Sequence, residues 1–324
     1  MTNSRLIASI CLGLALCVSP TVQAEEFSAW LQAFRAVAQQ QGLQPNTLKS
    51  LDGITPDEKV LTLDGKQPEH KITFATYRTN ILAKARIKAG KVRYADFAQT
   101  LKQAEARYGV PGKYIVALWG IESSYGALTG GFSVVRSLAT LAYDGRRATF
   151  FRGELLAALK IVQRGDVKAD ALIGSWAGAM GQCQFMPSTY LNHAVDGNGD
   201  KRVDIWGNPQ DVIASMANYL RAEGWQPKLG WGIAVRLKKP LPTSMVGLTA
   251  EQGKTYATWQ KLGIKTRSGA VLAPPPARLY YLVQPDGARG PSFLVTENYK
   301  ALMRWNRSTY FATAVGLLAD SIAP

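Results

Sequence analysis

Apolar residues recur at helical spacing along most of the chain. They appear first over residues 27–42, where Trp30, Leu31 and Phe34 begin one apolar face and Gly42 supplies a stop. The same spacing predicts further helices over 71–90, 94–108, 147–164, 188–194, 209–223 and 307–321, and one opened by Pro111. Most of the chain is therefore predicted to be helical.

The pattern changes after Gly232. Residues 233–237 alternate between apolar and polar positions, as a half-buried strand does. Apolar runs over 279–284 and 292–296 flank Pro285-Asp286-Gly287, which predicts a hairpin. We therefore predict a mainly α fold with a small β-containing part at about 232–300.

The first 24 residues have the pattern of an export signal. Arg5 supplies the positive charge, Leu6 to Val18 is an apolar run too short to span a bilayer, and Val22-Gln23-Ala24 resembles a cleavage site. Neither Cys11 nor Cys17 follows the small residue that a lipoprotein signal requires. We expect a soluble, exported, periplasmic protein without a stable membrane anchor, and a retained anchor is the alternative.

The composition limits which partners and which kinds of catalytic site are possible. With 324 residues, 47% of them hydrophobic, the chain can bury a sizeable core. A net charge of +15 favours a polyanionic partner, and export favours a cell-wall polymer or an anionic lipid face over nucleic acid. Only His70 and His193 are available for triads or zinc sites, so carboxylates are expected to carry the catalysis. Cys183 has no partner base in its motif, so we do not expect it to be a nucleophile.

Glu122 is the candidate catalytic group. It follows Ile115 by seven residues and Leu118 by four, which places it on the core-facing stripe of a helix. Burial there would raise the pKa of its carboxyl and suit a general acid. Residues 123–126 read as a helix end, so the carboxyl is expected to project into a space lined by loops. The alternative is a structural Glu paired with an Arg.

A loop rich in Asp, Asn and Gly has the spacing of a cation site. Oxygen side chains stand at positions 1, 3, 5 and 9 of an EF-hand-like pattern, and the backbone carbonyl of Arg202 would be position 7. Those side chains belong to Asp196, Asn198, Asp200 and Asp204. Position 12, usually Glu, is Gly207. We predict a structural Ca²⁺ or Na⁺ here, and a solvated turn is the alternative.

Four long motifs resemble the lytic murein transglycosylase B family. They are ALWGIESSYGALTG (117–130), YDGRRATFFRGEL (143–155), GSWAGAMGQCQFMPSTY (174–190) and VDGNGDKRVDIW (195–206). Segments at 63–69, 77–90 and 108–114 resemble the same family, and the likeness is least distinctive between 235 and 290. The resemblance implies a lysozyme-like helical core and a catalytic region over 25–324, with the EF-hand-like loop at 196–211.

The family cleaves the β-1,4 bond between N-acetylmuramic acid and N-acetylglucosamine in peptidoglycan without water, leaving 1,6-anhydromuramyl ends. The resemblance implies that Glu122 acts first as general acid and then as base, that Ser175 hydrogen-bonds the carboxylate, and that Asp211 completes the cation loop. No catalytic cofactor is expected. The implied substrate-binding residues are Tyr77, Arg146, Arg147, Gln184, Phe185, Met186, Tyr219, Asn306 and Phe311. Trp305 and Phe311 stand where the family often has Tyr, so a phenolic hydroxyl is missing at each.

Three other functions stay open on sequence alone. A hydrolytic muramidase would need a second carboxylate or a held water opposite Glu122, and we can nominate no such residue. A non-catalytic peptidoglycan-binding protein would tolerate replacement of Glu122. A DNA-binding protein is suggested only by charge, and export argues against it. The expected partners are glycan strands, together with cell-wall synthases or hydrolases, and no nucleic acid.

Overall fold

The computed structural model describes residues 20–66, 72–267 and 278–323. Most of the predicted export signal and His70 lie outside the described residues. The helices are α1 Pro20–Gln40, α2 Pro45–Leu48, α3 Glu58–Gly65, α4 Phe74–Ile81, α5 Lys84–Asp96, α6 Ala98–Tyr108, α7 Gly112–Ser123, α8 Val134–Asp144, α9 Ala148–Arg164, α10 Pro187–His193, α11 Pro209–Ala222, α12 Tyr256–Lys261, α13 Glu297–Trp305 and α14 Thr309–Ile322. The strands are β1 Phe132–Ser133, β2 Ile173–Gly174, β3 Gly232–Leu237, β4 Lys254–Thr255, β5 Ile264–Thr266, β6 Leu279–Val283 and β7 Ser292–Val295.

The helix α7 lies at the centre of the helical body. It packs against α5, α6, α11 and α14, and its residues from Tyr114 to Gly120 are all buried. A helix that is apolar on every side is stable only inside a core, so α7 loses the solvated face that most helices keep. Any polar group at its end therefore starts from a desolvated environment.

The helix predicted over 71–90 is two helices. Helix α4 ends at Ile81 and α5 begins at Lys84, and the Arg86 guanidinium donates to the carbonyls of Asn80 and Ile81. The predicted stop at Gly90 is wrong, because α5 continues through it to Asp96. A Cβ on Gly90 would lie 2.6 Å from the Tyr125 hydroxyl, so this glycine serves close packing rather than helix termination.

The β-containing part is a five-stranded antiparallel sheet in the order β4-β6-β7-β3-β5. Its strands bury alternate residues on opposite faces. Tyr281 and Val283 join the main core, whereas Tyr280 and Leu282 join a second cluster against α12. Because both faces are covered, β6 and β7 read as continuous apolar runs in the sequence. The predicted hairpin is confirmed, with Leu282 opposite Leu294.

Helix α1 begins at Pro20, seven residues before its predicted start. The other predicted helices are present within about four residues of their predicted bounds, and Asn208 caps α11 through its side chain. Helices α2, α3, α8, α12 and α13, strands β4 and β5, and the small β1–β2 pair were not predicted. None of the helices in the described ranges has the length and apolar character that a membrane crossing would require.

Candidate active site

A tight left-handed turn follows α7. Ser124, Tyr125 and Gly126 all have positive φ, with values of 50°, 62° and 88°. The Tyr125 hydroxyl donates to the Arg86 carbonyl, and the ring folds back over Gly120, where a Cβ would lie 2.5 Å from the same hydroxyl. The helix therefore ends abruptly one residue after Glu122, as the sequence predicts.

A buried amide ties this turn to the loop at 181–186. Gln182 accepts from the Trp119 indole N–H at 3.0 Å and donates to the Trp206 carbonyl at 2.7 Å. The Ser123 hydroxyl donates to the Gln182 carbonyl at 2.8 Å. Sequence reasoning missed Ser123 and Gln182, although a Gln inside a predicted site motif is a signal that could have found the second.

The Glu122 carboxyl lies between α7 and the end of α13. Its Oε1 accepts a hydrogen bond of 2.6 Å from the Trp305 indole N–H. Burial raises the pKa of Glu122 to about 7, although the Trp305 hydrogen bond acts in the opposite direction. The structure supplies no Arg partner within the described residues, which argues against the purely structural ion pair. A carboxyl with this pKa holds its proton at neutral pH in a substantial fraction of molecules.

Aromatic rings pack beside this carboxyl. Phe185 and Tyr219 lie with their ring centroids 5.3 Å and 4.8 Å from that of Trp305, and 5.8 Å from each other. The Tyr219 hydroxyl donates to the Arg304 carbonyl. The structure therefore brings two predicted substrate-binding residues together with Trp305. The sequence had singled out Trp305 only as a departure from the family.

Helix α4 supplies another aromatic side chain. Burial raises the pKa of Tyr77, and the Glu122 carboxylate adds to the effect, so the two side chains share one electrostatic environment. Tyr310 packs 5.8 Å from Tyr77 and donates to Asp286 Oδ1 at 2.6 Å. Asp286 also accepts from the Phe74 backbone N–H, so the hairpin turn caps α4 and positions Tyr77.

Phe311 and Asn306 are placed differently from each other. Phe311 is only 5% exposed, which leaves little ring surface for a sugar, and its neighbour Tyr310 is the ring that packs on Tyr77. Asn306 is exposed, and its Oδ1 accepts from the Ser308 backbone N–H at the end of α13. The substrate-binding roles of both residues stay predictions.

The loop at 174–186 carries the remaining predicted contacts. Ser175 Oγ accepts from the Ala179 N–H at 3.0 Å. It forms no hydrogen bond with Glu122 in the described part of the chain, so the expected bond to the carboxylate is not present in this structure. Gln184 has a φ of 51° and donates its amide to the carbonyls of Thr129 and Gly181. Met186 is half-buried against the main core.

Arg146 and Arg147 converge on one buried carboxylate. Asp64 is 3% exposed, and it accepts from Arg146 Nε at 3.0 Å and from Arg147 Nη2 at 2.8 Å. Both arginine side chains remain about half exposed. Asp64 thus holds the pair in place while solvent still reaches the guanidinium groups, whose geometry suits carboxylates. Asp64 was not anticipated, because it lies 82 residues away in sequence.

The EF-hand-like loop is ordered by its own backbone. Asp196 accepts from the N–H groups of Gly199 and Lys201, and Asp200 accepts from that of Arg202. Asp211 is fully buried and accepts from Gly197 and Asp204, so it joins both ends of the loop. In the described part of the chain, no three His, Cys, Asp or Glu side chains come close enough together to hold a metal ion.

Cys183 is buried, and burial together with the nearby Glu122 charge raises the pKa of its thiol well above the usual range. Such a thiol is a poor nucleophile, in agreement with the sequence analysis.

Comparison with known proteins places this geometry in context. Residues 26–320 match the family model described as Transglycosylase SLT domain. The chain is 33% identical over 253 residues to the membrane-bound lytic murein transglycosylase B of Escherichia coli (strain K12), which covers 76% of this chain. The match spans 66% of that relative's length.

Solved structures are also similar. SltB3 from Pseudomonas aeruginosa, in complex with NAG-anhNAM-pentapeptide, aligns with a TM-score of 0.86 at 44% identity, covering 91% of this chain and 79% of that one. The Escherichia coli lytic transglycosylase Slt35 in complex with calcium aligns with a TM-score of 0.77 at 27% identity, covering 94% of each chain. The helical fold is thus that of lytic transglycosylases, as the sequence predicted.

Proposed function

This chain belongs to the transglycosylase SLT domain family, and we propose that it is a peptidoglycan lytic transglycosylase with Glu122 as its catalytic acid and base. The observation that carries the proposal is a carboxyl at the end of a buried helix with a pKa of about 7. It cleaves the β-1,4 bond between N-acetylmuramic acid and N-acetylglucosamine and forms a 1,6-anhydromuramyl end.

The first step uses the protonated carboxyl. Glu122 gives its proton to the glycosidic oxygen, the C1–O4 bond breaks, and the oxygen of the substrate's own 2-acetamido group bonds to C1. A second protein carboxylate is unnecessary for this route. The position of Glu122 at the end of the buried helix α7 supports the step, because desolvation keeps a fraction of the carboxyl protonated at neutral pH.

The second step uses the ionised carboxyl. Glu122 takes the proton from the C6 hydroxyl, O6 bonds to C1, and the acetamido oxygen leaves. The net change breaks C1–O4, forms C1–O6 and moves one proton from O6 to O4, so no water is consumed. The hydrogen bond from Trp305 supports this step, because it stabilises the carboxylate form. Exclusion of water would favour ring closure over hydrolysis.

The surrounding side chains are proposed to hold the glycan and its peptides. Tyr219 and Tyr77 supply partly exposed aromatic surface, and the buried Phe185 packs against Tyr219 from behind. The Gln184 amide oxygen suits sugar hydroxyls, since the amide N–H groups are taken by backbone carbonyls. Arg146 and Arg147 are held by Asp64 with about half of each side chain exposed, and their guanidinium groups suit a lactyl or peptide carboxylate. Ser175, Met186, Asn306 and Phe311 stay proposed members of the site on the family resemblance.

Purified murein distinguishes this function from its rivals. We expect the wild-type protein to release muropeptides one water lighter than hydrolysis products, as measured by mass spectrometry. Reducing-end products of full mass would instead identify a muramidase. Binding to murein without any cleavage would identify a wall-binding protein, and either result would contradict the proposal.

We propose that the protein acts in the periplasm after export by its N-terminal segment, which its cell-wall substrate requires. A fractionation experiment that finds the protein in the cytoplasm would contradict this location. Contacts with cell-wall synthases or hydrolases are likewise proposed.

A structural cation is proposed for the EF-hand-like loop. Its donors are oxygens, the ligand type that Ca²⁺ prefers, and the residues that would hold the ion are Asp196, Asn198, Asp200, the Arg202 carbonyl and Asp211. The three carboxylates would have to draw closer together around the ion than they stand in this structure. Each Asp211 oxygen accepts only one hydrogen bond, so it keeps a lone pair. The calcium complex of the relative Slt35 supports the choice of ion. A bound cation would offset the repulsion between the carboxylates.

Calcium is expected to raise the melting temperature. At about one hundred times the dissociation constant, the Tm should rise by roughly 3–8 °C, because binding stabilises only the folded loop. The measurement is a thermal melt with CaCl₂, with NaCl and MgCl₂ in separate samples. Asp200→Asn should reduce the shift, whereas Asp170→Asn, an exposed Asp outside the loop, should leave it unchanged. A Tm that none of the salts raises in the wild type would contradict the cation site.

A further inference from the structure

Three arginines line a crevice between the sheet and the helical body. Its volume is about 130 Å³, and its lining includes Arg78, Arg236, Arg267, Ser292 and Leu317. At about 30 Å³ per liquid water, it holds roughly four waters, which is enough for a carboxylate or a phosphate group. The described residues that line it include no Asp or Glu.

The sheet register explains why Arg236 and Arg267 lie on the same face of the sheet. Ala234 stands opposite Phe293, and its carbonyl accepts from the Arg267 backbone N–H at 3.0 Å. Residues alternate between faces along a strand, so Arg236 lies on the same face as Ala234. That face is turned toward the helical body, because Ala234 and Phe293 contact the main core. Arg236 and Arg267 therefore both lie on the core-facing side of the sheet, near its β5 edge.

Arg78 approaches the same crevice from the helical body. It lies on α4 directly after Tyr77, whose pKa the Glu122 charge influences. The hairpin turn holds α4 against the sheet, since Asp286 accepts from the backbone N–H groups of Phe74 and Ala75. The crevice is thus joined through one short helix to the candidate active site.

The crevice is positively charged and therefore suits an anion. In the described part of the chain, none of Arg78, Arg236 and Arg267 forms a salt bridge or a side-chain hydrogen bond. Like charges within about 10 Å of one another repel unless a counter-charge separates them. The Ser292 hydroxyl accepts from Gln284 and keeps its own proton for donation. Guanidinium groups recognise carboxylate and phosphate oxygens through paired hydrogen bonds.

We infer that this crevice binds a carboxylate of a peptidoglycan stem peptide, so that it recognises the peptide while the Glu122 region cleaves the glycan. The inference rests on the proposed function and names the part of the substrate that a second site takes. SltB3 has been solved with NAG-NAM-pentapeptide, a ligand that carries such a peptide. Free phosphate is the other source of the same anionic chemistry, and the experiment separates the two.

The first test is cleavage of two soluble substrates. One is a glycan oligomer that carries stem peptides, and the other is the same oligomer after the peptides have been removed. We expect Arg236→Gln/Arg267→Gln, and separately Arg78→Gln, to raise KM about tenfold on the peptide-bearing oligomer only. Lys239→Gln, which removes an exposed charge outside the crevice lining, should match the wild type on both.

Binding measurements identify the anion. Calorimetry should detect binding of the free stem peptide to the wild-type protein. It should detect no binding of the fully amidated peptide to the wild type, and no binding of the acidic peptide to the double variant. Binding of inorganic phosphate without the peptide would overturn the assignment to stem peptides, and so would arginine variants that match the wild type on both substrates. A wild-type protein that cleaves neither oligomer would instead refute the proposed function, which keeps the two failures distinguishable.

Discussion

Replacing Glu122 with Gln is expected to abolish murein cleavage while leaving murein binding intact. The amide keeps the shape of the side chain and can still accept from the Trp305 indole, but it can neither donate the acid proton nor take one from the C6 hydroxyl. General acid–base catalysis contributes about 10²–10⁴-fold, and here one group serves both steps. We therefore expect the rate of anhydromuropeptide release to fall by at least about 10³-fold.

Mass spectrometry of the digests measures this loss, and sedimentation with insoluble murein measures binding. Glu105→Gln makes the same chemical change on an exposed position of α6, and it should retain wild-type activity. A thermal melt of each variant shows whether it is folded. Substantial cleavage by folded Glu122→Gln protein would show that another group is the acid and base.

Replacing Trp305 with Phe is expected to shift the pH dependence of the reaction upward. The indole N–H bond stabilises the ionised carboxyl, so its loss raises the pKa of Glu122 above about 7. Because kcat/KM requires the protonated acid in the free enzyme, its decline at high pH should begin at a higher pH in the variant. Without the indole N–H, nothing orients the more basic Glu122 carboxylate, so kcat should also fall by about ten- to a hundredfold at neutral pH.

The measurement is a pH–rate profile of kcat and kcat/KM on a soluble glycan oligomer. Trp305→Tyr offers an O–H donor on a ring of related size and should recover part of the profile. Trp225→Phe is the matched control, because its buried indole N–H has no hydrogen-bond partner in the described part of the chain. A Trp305→Phe profile that coincides with the wild type would show that the indole only fills space.

The two predictions differ in how far each residue could be anticipated. Glu122 could be selected from the spacing of Ile115, Leu118 and the helix-ending residues, all within about three helical turns. Trp305 could not, because it lies 183 residues away. Its indole reaches the carboxyl only because α13 packs against α14 and α11, which both pack against α7. Its place in the sequence showed only that a family Tyr was absent.

The charged clusters likewise divide into residues that the sequence identified and partners that only the folded structure shows. The sequence identified Arg146 and Arg147 as cations in a family motif, but their shared partner Asp64 belongs to α3, and it enters the core only in the folded protein. The crevice brings together Arg78 of α4, Arg236 of β3 and Arg267, which follows β5, so no local pattern predicts it.

Local patterns by themselves determined the mainly helical fold, the hairpin, the oxygen-rich loop and the position of Glu122 at a helix end. These features depend on backbone preferences and hydrophobic periodicity over a few turns, which short windows of sequence encode. Tertiary structure alone decided that Gly90 lies inside a helix under Tyr125, that Tyr310 rather than Phe311 packs on Tyr77, and which donor holds the Glu122 carboxyl. Each of these contacts joins segments that are distant in the chain, and their geometry follows from the packing of whole elements.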